Sequence, residues 1–201
     1  MLAILQAAGW PIWPLFIASV IAVGIIIERF ISLRQARILP PGLFEQVQAE
    51  IKRGNMSREV ISRIEAGSPL GRVLAAGLRN QSSNRDVMKD AIEETGSAVA
   101  NELERFLTTL GTIASIAPLM GLFGTVVGMI EIFGSQQATG SDPISLAHGI
   151  STALYNTGFG ILVAIPALIF WRHFRSLVNS YLVKMEQLAL HLVEIQHGDR
   201  H

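Results

Sequence analysis

The chain has 201 residues, of which 50% are hydrophobic and 16% are charged, and its formal net charge at pH 7 is zero. This composition favours a membrane protein over a soluble domain, and the balanced charge excludes a strongly basic nucleic-acid-binding surface. Cysteine is absent from the sequence, which excludes disulfides and cysteine-ligated metal sites.

The first apolar run predicts a transmembrane helix over residues 10–30, after a short segment at residues 1–9. About 20 helical residues cross the hydrocarbon core of a bilayer, which is about 30 Å thick. Trp10 and Trp13 are typical of one membrane interface and Arg29 of the other. A cleaved signal peptide is the alternative, but the basic leader that it needs is missing, so an uncleaved span is favoured.

The chain turns polar over residues 31–105, where short amphipathic helices are predicted between clusters of Pro, Gly, Ser and Asn. The Ser-Asn pair at residues 83–84 is typical of a helix start, and the apolar residues after it recur at helical spacing. Because no breaker residue interrupts this spacing, we expect one continuous helix from Arg85 into the second span. It should enter the membrane near Phe106.

Two further apolar runs predict transmembrane helices over residues 106–133 and 148–171, joined by a polar link at residues 134–147. Residues 172–201 begin at the same helical spacing. We therefore expect the third helix to extend well beyond the membrane before the chain ends in a tail.

The distribution of basic residues predicts how the chain is oriented. Every Lys and Arg lies between residues 29 and 105 or after residue 171. The positive-inside rule therefore places the helical segment at residues 31–105 and the C-terminal helix in the cytoplasm, with the N-terminus and the link at residues 134–147 in the periplasm.

Four polar side chains inside the second and third spans are candidates for a proton pathway: Thr125, Thr152, Asn156 and Thr157. Polar groups inside a membrane are costly and usually line a pathway or join helices. The alternative for a single threonine is a hydrogen bond to a carbonyl of its own helix. Because three of the four fall within six positions, we favour a shared polar interior. Glu131, near the outer end of its span, is interpreted as a solvated carboxylate.

Small residues on the same two spans predict close helix packing. Gly124 and Gly128 form a GxxxG pair, a pattern that most often marks a contact between helices. The residues assigned to helix packing are Gly121, Gly124, Gly128, Gly160, Pro118 and Pro166, and Pro118 is also a candidate kink. No span contains a deep Asp, Lys or His, so a proton that crosses here would need a titrating group from another chain.

The strings APLMGLFGTVVGMIEIF at 117–133 and GISTALYNTGFGILVAIPALIFWRHF at 149–174 resemble those of the ExbB/TolQ/MotA proton-channel family, and the ExbB-like biopolymer transport proteins most of all. The resemblance implies a homopentameric ring around two copies of an ExbD/TolR-like single-span partner, whose transmembrane Asp carries the proton. It also implies that Thr125 and Thr157 are the family's pore threonines. Many ExbB and TolQ sequences have Glu where this chain has Thr152, so a pathway built on that carboxylate does not carry over.

The fold predicted is an all-α membrane protein with three transmembrane helices, a periplasmic N-terminus and long cytoplasmic helical extensions. The resemblance implies an ExbB-like subunit of the bacterial inner membrane that uses the proton motive force to do work on the envelope through a TonB/TolA-like protein, with TonB-dependent uptake as the favoured process. No nucleophile–base pair, phosphate-binding loop or metal-ligand spacing is present, so neither an enzyme nor a cofactor is predicted. The alternatives are a TolQ-like or gliding-motility stator, a passive oligomeric scaffold and a self-contained channel.

Overall fold

The computed structural model describes residues 9–135 and 143–198 of the chain, and all regular elements in these ranges are α-helices. The helices are α1 (Ile12–Ser32), α2 (Gln35–Ile38), α3 (Leu43–Lys52), α4 (Arg58–Gly67), α5 (Pro69–Arg79), α6 (Arg85–Leu103), α7 (Leu107–Ser135) and α8 (Pro143–His197). The prediction of an all-α protein is confirmed.

Three of these helices, α1, α7 and α8, are long and apolar enough to cross a membrane. Many of their large apolar side chains point outward: Ile17 is 58% exposed, Leu119 is 64% exposed and Leu162 is 66% exposed. Contiguous apolar surface of this kind is unfavourable in water and suits a lipid environment. The structure therefore agrees with three candidate spans.

The chain divides into two compact units. The apolar unit contains the described residues up to Glu28 together with Phe106–His173. The polar unit contains Arg29–Arg105 together with Phe174 and the described residues after it. Both α1 and α8 contribute residues to each unit.

The apolar unit has a small core to which α1, α7 and α8 all contribute. Leu15 is fully buried in a cluster with Ala117, Val163 and Ala164. Because two of these four side chains are alanines, the helix backbones can approach each other closely. Larger, partly buried side chains pack against this cluster; they are Ile113, Met120 and Phe159.

Serine caps explain the short helices of the polar unit. Ser57 accepts a hydrogen bond from the Val60 N–H at the start of α4, at 3.3 Å, and Ser68 accepts one from the Gly71 N–H at the start of α5, at 3.0 Å. Such caps satisfy donors that have no partner within the helix. The buried face of α5 is formed by Leu70, Val73, Leu74 and Leu78. The short amphipathic helices predicted for this segment are confirmed.

The predicted continuous helix from Arg85 into the second span is wrong. The helix α6 begins at Arg85, as expected, but it ends at Leu103. The helix α7 begins separately at Leu107. Between them, Phe106 has a φ of 63°, in the left-handed region that a bulky side chain rarely adopts. Since no Gly or Pro marks this position, the sequence pattern alone did not indicate the break.

A buried arginine holds the C-terminal end of α6. Arg29 is only 4% exposed, and its Nη1 donates a hydrogen bond of 3.2 Å to the carbonyl oxygen of Leu103. The last carbonyls of a helix lack partners within the helix and carry partial negative charge, so a guanidinium stabilises them. The sequence predicted Arg29 only as an interface residue, and this capping contact adds a second role.

We expect the Phe106→Gly variant to be more stable than Phe106→Ala by about 1 kcal/mol in free energy of unfolding, because glycine adopts a positive φ without steric cost. Both variants remove the aromatic ring, so their difference isolates the backbone contribution. At an ordinary helical position the order would be reversed. Denaturant unfolding of the two purified variants in detergent measures the difference, and a more stable alanine variant would contradict the left-handed backbone.

The helix α8 is a single helix of 55 residues, so the third predicted span and the segment after it form one continuous helix, as expected. It begins at Pro143, inside the segment predicted as a link, whereas residues 136–142 of that link lie outside the described residues. Pro166 lies within α8 and Pro118 within α7, and neither proline ends its helix.

The C-terminal half of α8 packs into the polar unit along one face. The buried residues of this face are Phe174, Val178, Tyr181, Met185, Ala189 and Leu192, and their spacing of three or four residues is typical of a helix with one buried stripe. The Tyr181 hydroxyl donates a hydrogen bond of 3.0 Å to the Leu33 carbonyl oxygen. Burial raises the pKa of Tyr181 above its ordinary value of 10.0, so the phenol stays neutral and keeps its donor proton.

Candidate functional site

The candidate site lies where α7 and α8 come into close contact in the apolar unit. A Cβ atom at Gly121 would lie 2.7 Å from the Asn156 carbonyl oxygen, and one at Gly160 would lie 2.5 Å from the Ala117 carbonyl oxygen. Distances this short are well inside van der Waals contact, and the atoms approached belong to the backbone. Both positions therefore require glycine.

The GxxxG pair faces the same contact. A Cβ atom at Gly124 would lie 2.8 Å from the Cβ of Asn156, and one at Gly128 would lie 3.0 Å from the Cβ of Ala153. The structure thus places all four glycines that the sequence assigned to helix packing where α7 meets α8. Glycines in this arrangement allow two helices to approach backbone to backbone.

Two threonine hydroxyls meet within this contact. The Oγ1 of Thr125 on α7 lies 2.5 Å from the Oγ1 of Thr157 on α8. Each hydroxyl also reaches a carbonyl oxygen of the facing helix: Thr125 contacts Ala153 and Thr157 contacts Gly121, both at 3.2 Å. Both threonines are half-buried. The two predicted pore threonines therefore form one polar cluster.

This cluster can rearrange its hydrogen bonds. Each hydroxyl carries one proton and offers two lone pairs, while the carbonyl oxygens of Gly121 and Ala153 are both within reach. Carbonyls inside a helix already accept a hydrogen bond from their own backbone, so they are not orphaned when a hydroxyl turns away. The pair can therefore donate to a third group or accept from one without leaving a buried polar group unsatisfied.

Other hydroxyls on the same helices bond within their own helix. Thr112, Ser115 and Ser151 each donate to the carbonyl oxygen four residues earlier, at 2.9, 2.9 and 3.0 Å. This is the alternative that was open for any single threonine, and it holds for these three residues. Thr125 and Thr157 differ because each of them bonds to the facing helix.

The other two candidates for the pathway have different surroundings. Asn156 is only 2% exposed, and its side chain packs directly on Gly124, so it lies inside the apolar unit. The side chain of Thr152 lies outside the described residues. The pore-lining roles of both residues stay predictions.

Sequence reasoning missed the backbone acceptors of the cluster. The carbonyl oxygens of Gly121 and Ala153 belong to residues that lie four positions before Thr125 and Thr157. This four-residue spacing is the sequence signal that could have identified the two acceptors. A small residue one turn before a threonine leaves the carbonyl of that small residue accessible to a facing helix. Reasoning from side chains alone does not include these groups.

An open groove of about 490 Å³ adjoins Thr125 on the surface of α7. Apart from this threonine, the groove is lined mainly by Val126, Met129, Ile130 and Phe133. These apolar side chains are not covered by the described part of the chain, since Ile130 is 66% exposed. The groove is therefore an apolar surface that borders Thr125.

The parts of α7 and α8 around the cluster lack charged side chains. Residues 107–130 and 149–171 contain no Asp, Glu, Lys, Arg or His, and Glu131 follows as an exposed side chain on α7. A threonine hydroxyl donates and accepts hydrogen bonds but does not ionise in the physiological range. The cluster can therefore bind a group that carries a proton, but it is not itself the charged carrier.

Comparison with known proteins places the chain in a family of membrane proteins. A sequence model of the MotA/TolQ/ExbB proton channel family matches residues 65–187, which include both threonines. The chain is 32% identical over 192 residues to the putative biopolymer transport protein ExbB-like 3 of Synechocystis sp., which covers 90% of this chain and 89% of that protein.

Two further relatives match over most of their lengths. The biopolymer transport protein exbB1 of Vibrio cholerae is 31% identical over 168 residues, which is 81% of this chain and 74% of that protein. The Tol-Pal system protein TolQ of Pseudomonas aeruginosa is 30% identical over 172 residues, which is 78% of this chain and 73% of that protein. This chain, with its three candidate spans, belongs to the MotA/TolQ/ExbB proton channel family.

Proposed function

We propose that the chain is an ExbB-like subunit of a proton-driven motor in the bacterial inner membrane. With an ExbD/TolR-like partner it converts the proton motive force into work on the cell envelope, most directly TonB-dependent uptake. The observation that carries this proposal is the Thr125–Thr157 hydroxyl pair, which adjoins an open groove and lies where residues 107–130 and 149–171 contain no charged side chain. The proton carrier is then a carboxyl group supplied by the partner.

The hydroxyl pair suits both states of such a carboxyl group. A protonated carboxyl donates a hydrogen bond to a threonine oxygen, whereas an ionised carboxylate accepts a hydrogen bond from a threonine hydroxyl. The two hydroxyls donate hydrogen bonds to the carbonyl oxygens of Gly121 and Ala153. Each hydroxyl can rotate and donate its hydrogen bond to this carboxyl group instead. The pair thus lowers the cost of holding a charge inside the membrane and allows the proton to bind and leave.

The energy available from each proton limits the mechanism. One elementary charge that crosses 100 mV releases about 2.3 kcal/mol, so useful work on the envelope needs several protons or a repeated stroke. The groove wall is apolar apart from Thr125. A partner helix that moves along this wall would have few polar contacts to break.

The proposed orientation in the membrane is inferred from the distribution of the basic residues. The N-terminus and the link at residues 134–147 are periplasmic, while the polar segments at residues 31–105 and 172–201 are cytoplasmic. Membership of the family supports a homopentamer around two copies of the partner, with a TonB/TolA-like protein that receives the motion. Spans over residues 10–30, 106–133 and 148–171 complete the arrangement.

The test is proton flux into proteoliposomes that contain the chain with an ExbD/TolR-type partner from the same genome. An imposed membrane potential should drive acidification of the lumen only when both proteins are present, and Asp→Asn in the partner's span should abolish it. Flux through the chain alone would overturn the proposal in favour of a self-contained channel. A stable complex that carries no flux would favour a passive scaffold.

A TolQ-like role is the second candidate, because the identity to TolQ of P. aeruginosa is 30% and those to the ExbB-type relatives are 31% and 32%. The two roles differ in the envelope process that is powered. Deletion of the gene should abolish TonB-dependent uptake in the first case and make the outer membrane leaky in the second. Loss of uptake with an intact outer membrane would support the ExbB-like role.

A further inference from the structure

The polar unit contains an open groove of about 480 Å³ between α6 and the C-terminal half of α8. Apolar side chains from three helices form much of its lining; they are Val73, Ile92, Leu182, Met185, Ala189 and Val193. The charged residues that line it are Lys89, Glu93 and Glu186. A groove of this volume can hold several side chains of another molecule.

A glycine in this groove has no explanation within the described chain. Gly96 lies in the middle of α6, where glycine is less stable than alanine by about 0.5–1 kcal/mol, and no described atom lies within 4 Å of where its Cβ would be. Gly77 on α5 differs, because a Cβ there would lie 3.0 Å from Ile92 and 3.2 Å from Leu192. Gly96 therefore leaves open space at this point of the groove.

Carboxylates concentrate beside the groove. The N-terminal half of α6 carries four of them, Asp86, Asp90, Glu93 and Glu94, against two basic residues, Arg85 and Lys89. Glu186 lines the groove from α8. Among the described residues, Asp90, Glu93 and Glu186 form no ion pair. An apolar groove with excess unpaired negative charge favours an occupant that is both basic and apolar.

A segment that carries both basic and apolar side chains lies in the polar unit, at the junction of α3 and α4. Its basic residues are Lys52, Arg53, Arg58 and Arg63, against one acidic residue, Glu59. Arg53 pairs with Glu50 at 3.3 Å, whereas the other three form no ion pair within the part of the chain that the structure describes. Half-buried Val60 and Ile64 supply apolar surface beside Arg63.

We propose that the groove beside Gly96 binds the basic α3–α4 junction of a second copy of this chain. Arg58 and Arg63 of one copy then face Asp90 and Glu93 of the other, and Val60 and Ile64 contact the apolar wall. Because the two surfaces differ, the contact is heterologous and each copy can engage two neighbours. The inference is argued from the groove and the separation of charge. It names one contact within the homo-oligomer of the proposed function and rests on that function to this extent, whereas proton flux tests the function separately.

Disulfide crosslinking of the full-length protein in native membranes tests this contact, because the sequence contains no cysteine. Copies that carry Gly96→Cys are co-expressed with copies that carry Ser62→Cys, an exposed position beside Arg63. Oxidation should give a crosslinked dimer. The control pair combines Gly96→Cys with Ala36→Cys, which is exposed and lies outside both surfaces, and it should give little dimer.

Charge reversal shows whether the contact is the one proposed. Glu93→Arg in the Gly96→Cys copies should lower the dimer yield at least about fivefold, because like charges then face each other. Combining it with Arg63→Glu in the Ser62→Cys copies should restore the yield. Glu93→Arg should leave the unfolding temperature unchanged, because Glu93 is exposed and makes no ion pair among the described residues.

Two results would overturn the proposal. The first is a dimer yield no higher than that of the control pair, which is also expected if the groove binds a small molecule or another protein. The second is a yield that charge reversal does not change or that the double reversal does not restore. A fall in yield at high salt, where exposed charges are screened, is expected if the contact is the proposed one.

Discussion

Replacing Thr125 by valine should lower proton flux at least about tenfold, a loss of about 1.4 kcal/mol of transition-state stabilisation, and leave the amount of assembled protein unchanged. The same result is expected for Thr157→Val. Valine keeps the shape of threonine but has no hydroxyl, so α7 and α8 remain packed while the proton carrier loses a partner. Hydrogen bonds between membrane helices contribute about 0.6 kcal/mol on average, so the stability of the protein should change little.

The chain offers matched controls for the threonine variants. Thr112→Val makes the same substitution in the same helix, but the Thr112 hydroxyl is exposed and bonds only to the Thr108 carbonyl oxygen of its own helix, at 2.9 Å. Its proton flux should equal that of the wild type, and Thr125→Ser should retain most of the flux. Normal flux in both Thr125→Val and Thr157→Val would contradict the role of the pair. An equal loss in Thr112→Val would indicate a general effect on the helix.

Local patterns were enough to predict most of the helices. A run of about 20 apolar residues has few stable alternatives to a membrane-spanning helix, and Ser57 and Ser68 stand where the caps of short helices belong. The break between α6 and α7 depends instead on tertiary contacts. Arg29 caps α6 from 74 residues away in the sequence. Phe106 has a positive φ, and a bulky aromatic residue does not indicate such a backbone conformation in the sequence.

The site was predicted as a shared polar interior, without the contacts that join its residues. In-span polar residues gave four candidates, and the family resemblance pointed to Thr125 and Thr157 among them, yet the contact between these two depends on how α7 and α8 pack. Helical spacing places Thr125 on the face of Gly121 and Thr157 on the face of Gly160. How far one helix is shifted along the other is fixed by the close approach at these two glycines, and spacing within one helix does not give it. The same limit applies to Asn156, which was grouped with the pore residues and packs on a glycine of α7.

Gly160→Ala should destabilise the apolar unit by about 2–3 kcal/mol, the upper part of the range for overpacking. The new Cβ would lie 2.5 Å from the Ala117 carbonyl oxygen and 3.1 Å from the Cα of Gly121. Both atoms belong to the backbone of α7 and cannot rotate away, so the two helices must move apart. Because Thr157 bonds to the Gly121 carbonyl oxygen, this movement also separates the hydroxyl pair. Gly160→Ala should therefore lose stability and proton flux together, whereas the threonine variants lose flux alone.

Gly158→Ala is the matched control, because Gly158 lies on the same helix and no described atom comes within 4 Å of where its Cβ would be. Its unfolding temperature should equal that of the wild type or lie slightly above it, since alanine favours the helix. Thermal unfolding of both purified variants in the same detergent measures the contrast. If they unfold at the same temperature, α7 and α8 do not approach as closely as the structure has them, and the glycines do not position the threonine pair.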